Sequence, residues 1–136
     1  MSIRKDYIER LIEEFAAALA RILKARREQK FADAQRLIQD TALSTLGMEY
    51  GALLLADPAS TARLLGSPVR VKVLARLVAE EGELLQQQGD PVTASARFHF
   101  SLALYAEAES LGLTPDAEDT ATVSRLRALT ETPHRV

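Results

Sequence analysis

The side chains able to do chemistry are few and poorly grouped for it. His99 and His134 are the only imidazoles, and cysteine is absent, which removes thiolate nucleophiles, disulfides and thiolate metal ligands. His99 stands between Phe98 and Phe100 with no cysteine or carboxylate three or four residues away, so it reads as a packing residue with a polar edge rather than a general base. Carboxylates do cluster, as Glu13-Glu14, Glu80-Glu81-Glu83 and Asp116-Glu118-Asp119. A catalytic pair needs one acid kept neutral by burial beside another kept ionised, whereas adjacent glutamates on a helix point about 100° apart. These groups therefore read as solvated faces, the third also as first-turn charge that complements a helix dipole. A di-iron bundle needs Glu-x-x-His steps on two helices, and His99 has Ala96 at that position. The six glycines are scattered and form no phosphate-cradling loop. No catalytic residue, metal or other cofactor is assigned.

Charge selects no partner either. Seventeen basic against nineteen acidic side chains leave a formal charge of −2. The one run of a single sign, Arg21, Lys24, Arg26, Arg27 and Lys30, sits where a helix C-terminus favours cations, and aromatic residues, at 5%, are too few for a nucleic-acid platform, so no nucleic acid is expected. No apolar run approaches the ~20 residues that would cross a bilayer. A soluble protein of a reducing cytoplasm is the expectation, with no membrane partner.

The elements that must position these residues are punctuated by five prolines, each after a good capping residue: Asp57-Pro58, Ser67-Pro68, Asp90-Pro91, Thr114-Pro115 and Thr132-Pro133. An Asp, Ser or Thr side chain accepts from an unpaired first-turn amide, and proline at the next position lacks only an N–H that had no partner. The first four pairs predict helix starts and the fifth a frayed tail over 131–136.

Apolar spacing supplies the rest. Ile8, Leu11, Ile12, Phe15, Leu19, Ile22 and Leu23 recur at three- and four-residue steps, predicting a long first helix over residues 3–27. Phe31, Ala34, Leu37, Ile38, Ala42 and Leu46 predict a second, stopped near Gly47. A short apolar stretch over 50–55 precedes a two-turn helix over 58–65 ended by Gly66, then helices over 68–88 and 91–111, and a weakly apolar last one over 115–129. Strand-like alternation is missing. The fold is predicted to be all-α, five to six helices in antiparallel hairpins, in a single domain over 1–130.

Residues 77–102 carry the most specific pattern. A small residue, Gly82, precedes the turn Gly89-Asp90-Pro91, and Ala94 and Phe98 follow four residues apart, as for two rods pressed together through Gly82 and Ala94. Gln29-Lys30-Phe31-Ala32-Asp33-Ala34, with Ile38 four residues on, repeats that turn sixty residues earlier. Tetratricopeptide arrays repeat every ~34 residues, so residues 48–67 read as an insertion between two hairpins.

Residues 75–106 resemble one tetratricopeptide repeat, through Gly82, Leu85, Gly89, Asp90, Ala94, Phe98 and Leu102. They depart from it at Glu81, where a packed leucine is usual, at Ser101, which replaces a small alanine, and at Ala106, which replaces the closing proline. Asp6-Tyr7-Ile8-Glu9-Arg10-Leu11-Ile12-Glu13 is similar to the start of a family of short bacterial helical proteins of unknown function. The repeat resemblance implies a concave face on the first hairpin helix, with Arg76, Ala79, Glu83, Gln86 and Gln87 pointing outward to bind an extended or helical peptide.

Self-association is a further expectation. The first helix carries more apolar residues than one core-facing seam requires, so Ile8, Leu11, Ile12, Phe15, Leu19 and Ile22 are assigned to a homodimer interface. The function expected is non-enzymatic: a tetratricopeptide-like adaptor that binds a polypeptide, and itself. The alternatives are a purely structural or regulatory homodimer, and a small enzyme built from carboxylates with Tyr7, Tyr50 or Tyr105.

Overall fold

The computed structural model describes residues 3–131, and among these residues the chain forms seven helices and no strand. The chain divides into two compact units, Met1–Ala56 and Asp57–Val136. Thr132-Pro133 and His134 lie outside the described residues; Glu131, at the head of the expected tail, closes the last helix.

The first unit is a hairpin of α1 (Ile3–Arg27) and α2 (Phe31–Leu46), followed by a single turn, α3 (Tyr50–Leu53). Its core takes Leu11, Ala18, Leu19, Ile22 and Ala25 from α1 and Ala34, Ile38, Ala42 and Leu46 from α2, the latter at the four-residue step that keeps one helix face inward. Tyr50 and Leu53 of α3 are buried too, while Leu55 is exposed. Within the 50–55 stretch, residues 50–53 thus form a one-turn helix, absent from the six predicted, with Tyr50 and Leu53 tucked in. Gly47 ends α2 in the left-handed region, φ 73°, where glycine carries no Cβ penalty.

The second unit comprises α4 (Pro58–Leu65), α5 (Pro68–Gln87), α6 (Pro91–Ser110) and α7 (Ala117–Glu131). Three of the predicted caps form: the Asp57, Ser67 and Asp90 side chains accept from the amides of Ser60, Arg70 and Thr93. The fourth is displaced. Instead of Thr114, Asp116 and Asp119 cap α7 by a reciprocal exchange, the Asp119 amide donating to Asp116 Oδ1 at 2.8 Å and the Asp116 amide to Asp119 Oδ2 at 3.0 Å. A carboxylate three residues ahead that can return the bond satisfies two orphan amides, where Thr114 could satisfy one.

The α5–α6 pair shares the largest helix interface of the molecule. Gly82 lies against the Phe98 ring and the β-carbon of Arg97 where α5 crosses α6, and Ala94 is buried on the same helix as Phe98. Two of the three departures from the repeat pattern, Ser101 and Glu81, are answered across this interface. Ser101 donates to the Ala75 carbonyl at 2.6 Å, and Glu81, buried, accepts from Arg97 Nε at 2.5 Å. Buried polar groups persist only when paired in this way.

The turn repeated sixty residues apart is one structure made twice. Lys30 N–H donates to the Ala25 carbonyl and Asp90 N–H to the Leu85 carbonyl, each five residues back, and Gln29 and Gly89 both have positive φ, 59° and 85°. These are Schellman closures. Ala34 and Ala94, then Ile38 and Phe98, are buried at equivalent steps beyond them. At the position equivalent to Gly82, α1 carries the buried Ile22, so a bulky side chain stands where α5 has none.

Candidate functional site

The candidate face is built on α5, a helix buried around most of its circumference. Twelve of its twenty residues are buried, among them Arg76, Glu80 and Glu81. A helix so enclosed can hold charges only where each is answered, and α7 supplies most of the answers. Lys72 Nζ lies 2.9 Å from Asp119 and 3.2 Å from Asp116. Arg76 donates from Nε to Glu80, one turn along its own helix, at 2.9 Å and from Nη1 to Glu118 at 2.6 Å. Arg125 of α7 completes the set, 2.9 Å from Glu83 and 3.8 Å from Glu80. The Arg76–Glu118 and Glu83–Arg125 pairs both span 42 positions, so the two helices run side by side in the same direction and in one register.

The network sets the protonation of its members. Burial alone would push the Lys72 ammonium down, but bonds to Asp119 and Asp116 outweigh it and hold Lys72 above its usual value of 10.5. Arg76 is likewise held up against burial by Glu80 and Glu118. Asp116 is held below 3.8, first by the Asp119 amide and, against some burial, by Lys72. Tyr105, buried beside Arg76, Asp119 and Glu80 and hydrogen-bonded to Thr122, is pushed well above its usual value by burial.

The five residues expected to line an outward face therefore separate. Gln86 and Gln87 are exposed and Glu83 is half-buried, but Arg76 and Ala79 are buried, Ala79 completely. The physical reason is α7, whose carboxylates draw Arg76 inward. Glu80 and Glu81 also overturn their assignment to a solvated face, with Arg76 and Arg97 as their partners. An Arg-x-x-x-Glu step was there to be read at 76 and 80 as a helical ion pair; the partner from α7, forty-two positions away, had no local signal.

The anticipated dimer residues divide as well. Leu11, Leu19 and Ile22 are buried within their own unit and are not available to a second copy. Ile8 and Phe15 are half-buried, and Ile12 is 51% exposed. The structure draws one core seam from both apolar stripes of α1, leaving Ile8, Ile12 and Phe15 of the six assigned residues on its flank.

Enzyme-like groupings are sparse. His99 is exposed rather than packed, its Nδ1 2.9 Å from the Ser95 carbonyl of its own helix. Glu13 and Glu14 are exposed. A cavity of about 550 Å³ opens between α6 and α7, lined by Leu102, Tyr105, Leu113 and Val123 with exposed Glu109 and Arg127. Tyr105 and Asp119 reach it, but Thr122 engages the first and Lys72 the second. Among the described residues no three His, Asp or Glu side chains are grouped to hold a metal ion, and no helix is long and apolar enough to cross a membrane.

No known protein family, curated protein or solved structure matches the chain. Its function must be argued from its own geometry.

Proposed function

We propose that this chain is a non-enzymatic helical adaptor that binds a polypeptide on the α5 side of the α5–α6 hairpin, in the manner of a tetratricopeptide repeat. The observation that carries the reading is the crossing itself. Gly82 against Phe98, the left-handed turn at Gly89, and the buried Ala94 are the features that make residues 75–106 resemble that repeat, and they assemble into one tightly crossed pair of rods. Side chains that remain accessible on α5, Glu83, Gln86 and Gln87, offer the hydrogen-bonding surface such a hairpin presents to a peptide. A reducing cytoplasm suits a chain without cysteine.

Affinity purification of the tagged full chain from its native host tests this. A partner captured by the unaltered chain and lost on Gln86→Ala/Gln87→Ala substitution is expected; equal capture by both would remove the face from the proposal.

Self-association is the second part of the reading, supported by the flank of Ile8, Ile12 and Phe15 on α1. Light scattering at micromolar concentration should give twice the chain mass, and Ile12→Glu should halve it. A mass near the 14.9 kDa of one chain for the unaltered protein would dispose of the dimer.

A further inference from the structure

The α7 helix is held to α5 by charge far more than by apolar contact. Of its fifteen residues only Asp119, Thr122 and Leu126 are buried, and Leu126 alone of these is apolar. On its other side α7 packs along α6, with the cavity of about 550 Å³ opening between them. The charges that hold it are partly in water: Glu118 is 64% exposed and Arg125 42%. Exposed pairs are weakened by salt and contribute little each, so α7 is the element of this unit most easily opened without unfolding the rest.

The charges are also ordered. On α5, cations at Lys72 and Arg76 precede carboxylates at Glu80 and Glu83; on α7, carboxylates at Asp116, Glu118 and Asp119 precede a cation at Arg125. Seven residues separate Arg76 from Glu83, and seven separate Glu118 from Arg125. Two parallel helices with opposite charge order fit in one register and repel in others, which is a specificity device. Arg76, Ala79 and Glu83, three of the five positions that the repeat resemblance assigns to a ligand, are the ones paired to α7 or buried.

We infer that α7 is a charge-latched, detachable occupant of the α5 binding face, and that the partner displacing it is a helix of the same charge order. Such a segment carries two or three carboxylates in its first turn, an arginine or lysine seven residues beyond them, and a leucine next to that cation. This rests on the adaptor reading and gives it both a ligand chemistry and a means of control. The tethered α7 competes at high effective concentration, so a free segment binds appreciably only when the latch is loosened.

The test uses the full chain and a fluorescent peptide of residues 114–131. The double variant Glu118→Gln/Asp119→Asn keeps polar atoms at the helix start but removes two latch charges; Arg125→Ala loosens the opposite end and serves if the first variant does not fold. Hydrogen exchange should show α7 amides opening at least tenfold more in the loosened chain, and tenfold more in the unaltered chain at 0.5 M than at 0.02 M NaCl, with α5 and α6 unchanged. The peptide should bind the loosened chain at least tenfold more tightly than the unaltered one, and a version with lysines for its three first-turn carboxylates should not bind. Equal binding to both chains, no binding to a chain whose α7 is open, or exchange of α7 only with global unfolding overturns the inference. So does dimerisation of the loosened chain through its own α7, which assigns the face to a second copy. If the peptide fails while a partner dependent on Gln86 and Gln87 is still captured, the adaptor reading stands and the latch falls. If the peptide binds as described and no such partner is captured, the latch stands and the adaptor reading falls.

Discussion

Gly82 and Phe98 occupy what would otherwise be the same space. A β-carbon at position 82 would lie 2.5 Å from Phe98 Cε1 and 2.7 Å from Cδ1. Alanine is favoured over glycine inside a helix by about 1 kcal/mol, yet Gly82→Ala is expected to destabilise the second unit by about 1–3 kcal/mol, because Phe98 is 2% exposed and its ring has no room to retreat. Urea denaturation should show the loss. Adding Phe98→Leu should restore part of it, a coupling that a double-mutant cycle would register.

The equivalent turns at Gln29 and Gly89 predict effects of opposite sign. Gln29 holds φ 59° without being glycine, a conformation that costs an L-residue about 1–2 kcal/mol. Glycine would remove that cost but return about 0.4–1 kcal/mol through a freer unfolded chain. Gln29→Gly should therefore stabilise by about 0.5–1 kcal/mol, and Gly89→Ala, at φ 85°, should destabilise by about 1 kcal/mol. Denaturation midpoints at unchanged slope would check both.

Leu126 is fully buried and is the main apolar contact of α7. Leu to Ala in a packed site costs about 2–5 kcal/mol, but a helix that detaches cannot lose more than the free energy holding it. Leu126→Ala should raise exchange of α7 amides strongly while lowering the Tm of the α5–α6 hairpin much less. Equal loss throughout the unit would show that α7 and the hairpin unfold together.

The charge network confines α7 between two pH limits. The folded Asp116 is held below its ordinary 3.8, so its stabilisation is present above that value and is lost as pH falls through the lower folded value. Lys72 is held above 10.5, so its contribution is complete below that pH and disappears as pH rises through the folded value. Buried Tyr105, raised above 10.0, adds a loss on the alkaline side from that pH upward. Asp119, Glu118, Arg76, Arg125, Glu80 and Glu83 complete the facing charges. Stability of α7 followed by circular dichroism or exchange should be flat across neutral pH, falling below about 4 and above about 10.

The Gly47 and Gly66 stops and the caps at Asp57, Ser67 and Asp90 are local, since the first two need only a left-handed backbone returning an N–H to a carbonyl four residues back and the others a side chain that meets an amide three residues on. The shared turn of Gln29 and Gly89 is local too, and its sixty-residue lag survives into matching hydrogen bonds. The start of α7 lies two residues beyond the predicted one because Thr114 and Asp116 are both competent caps, and only the carboxylate of Asp119 decides between them.

What the sequence determined by itself is the set of rods and turns, because helix periodicity, capping and left-handed glycine are encoded within a few neighbouring residues. Tertiary structure decided which polar residues are accessible. Arg76 looks outward on α5 taken alone and is drawn in once Glu118 arrives on α7, Ala79 is buried as well, and Leu11, Leu19 and Ile22 fall to a core rather than an interface once α2 selects one seam of α1. A helix's own sequence says how wide its apolar face is; which part of that face is covered depends on a neighbour tens of residues away.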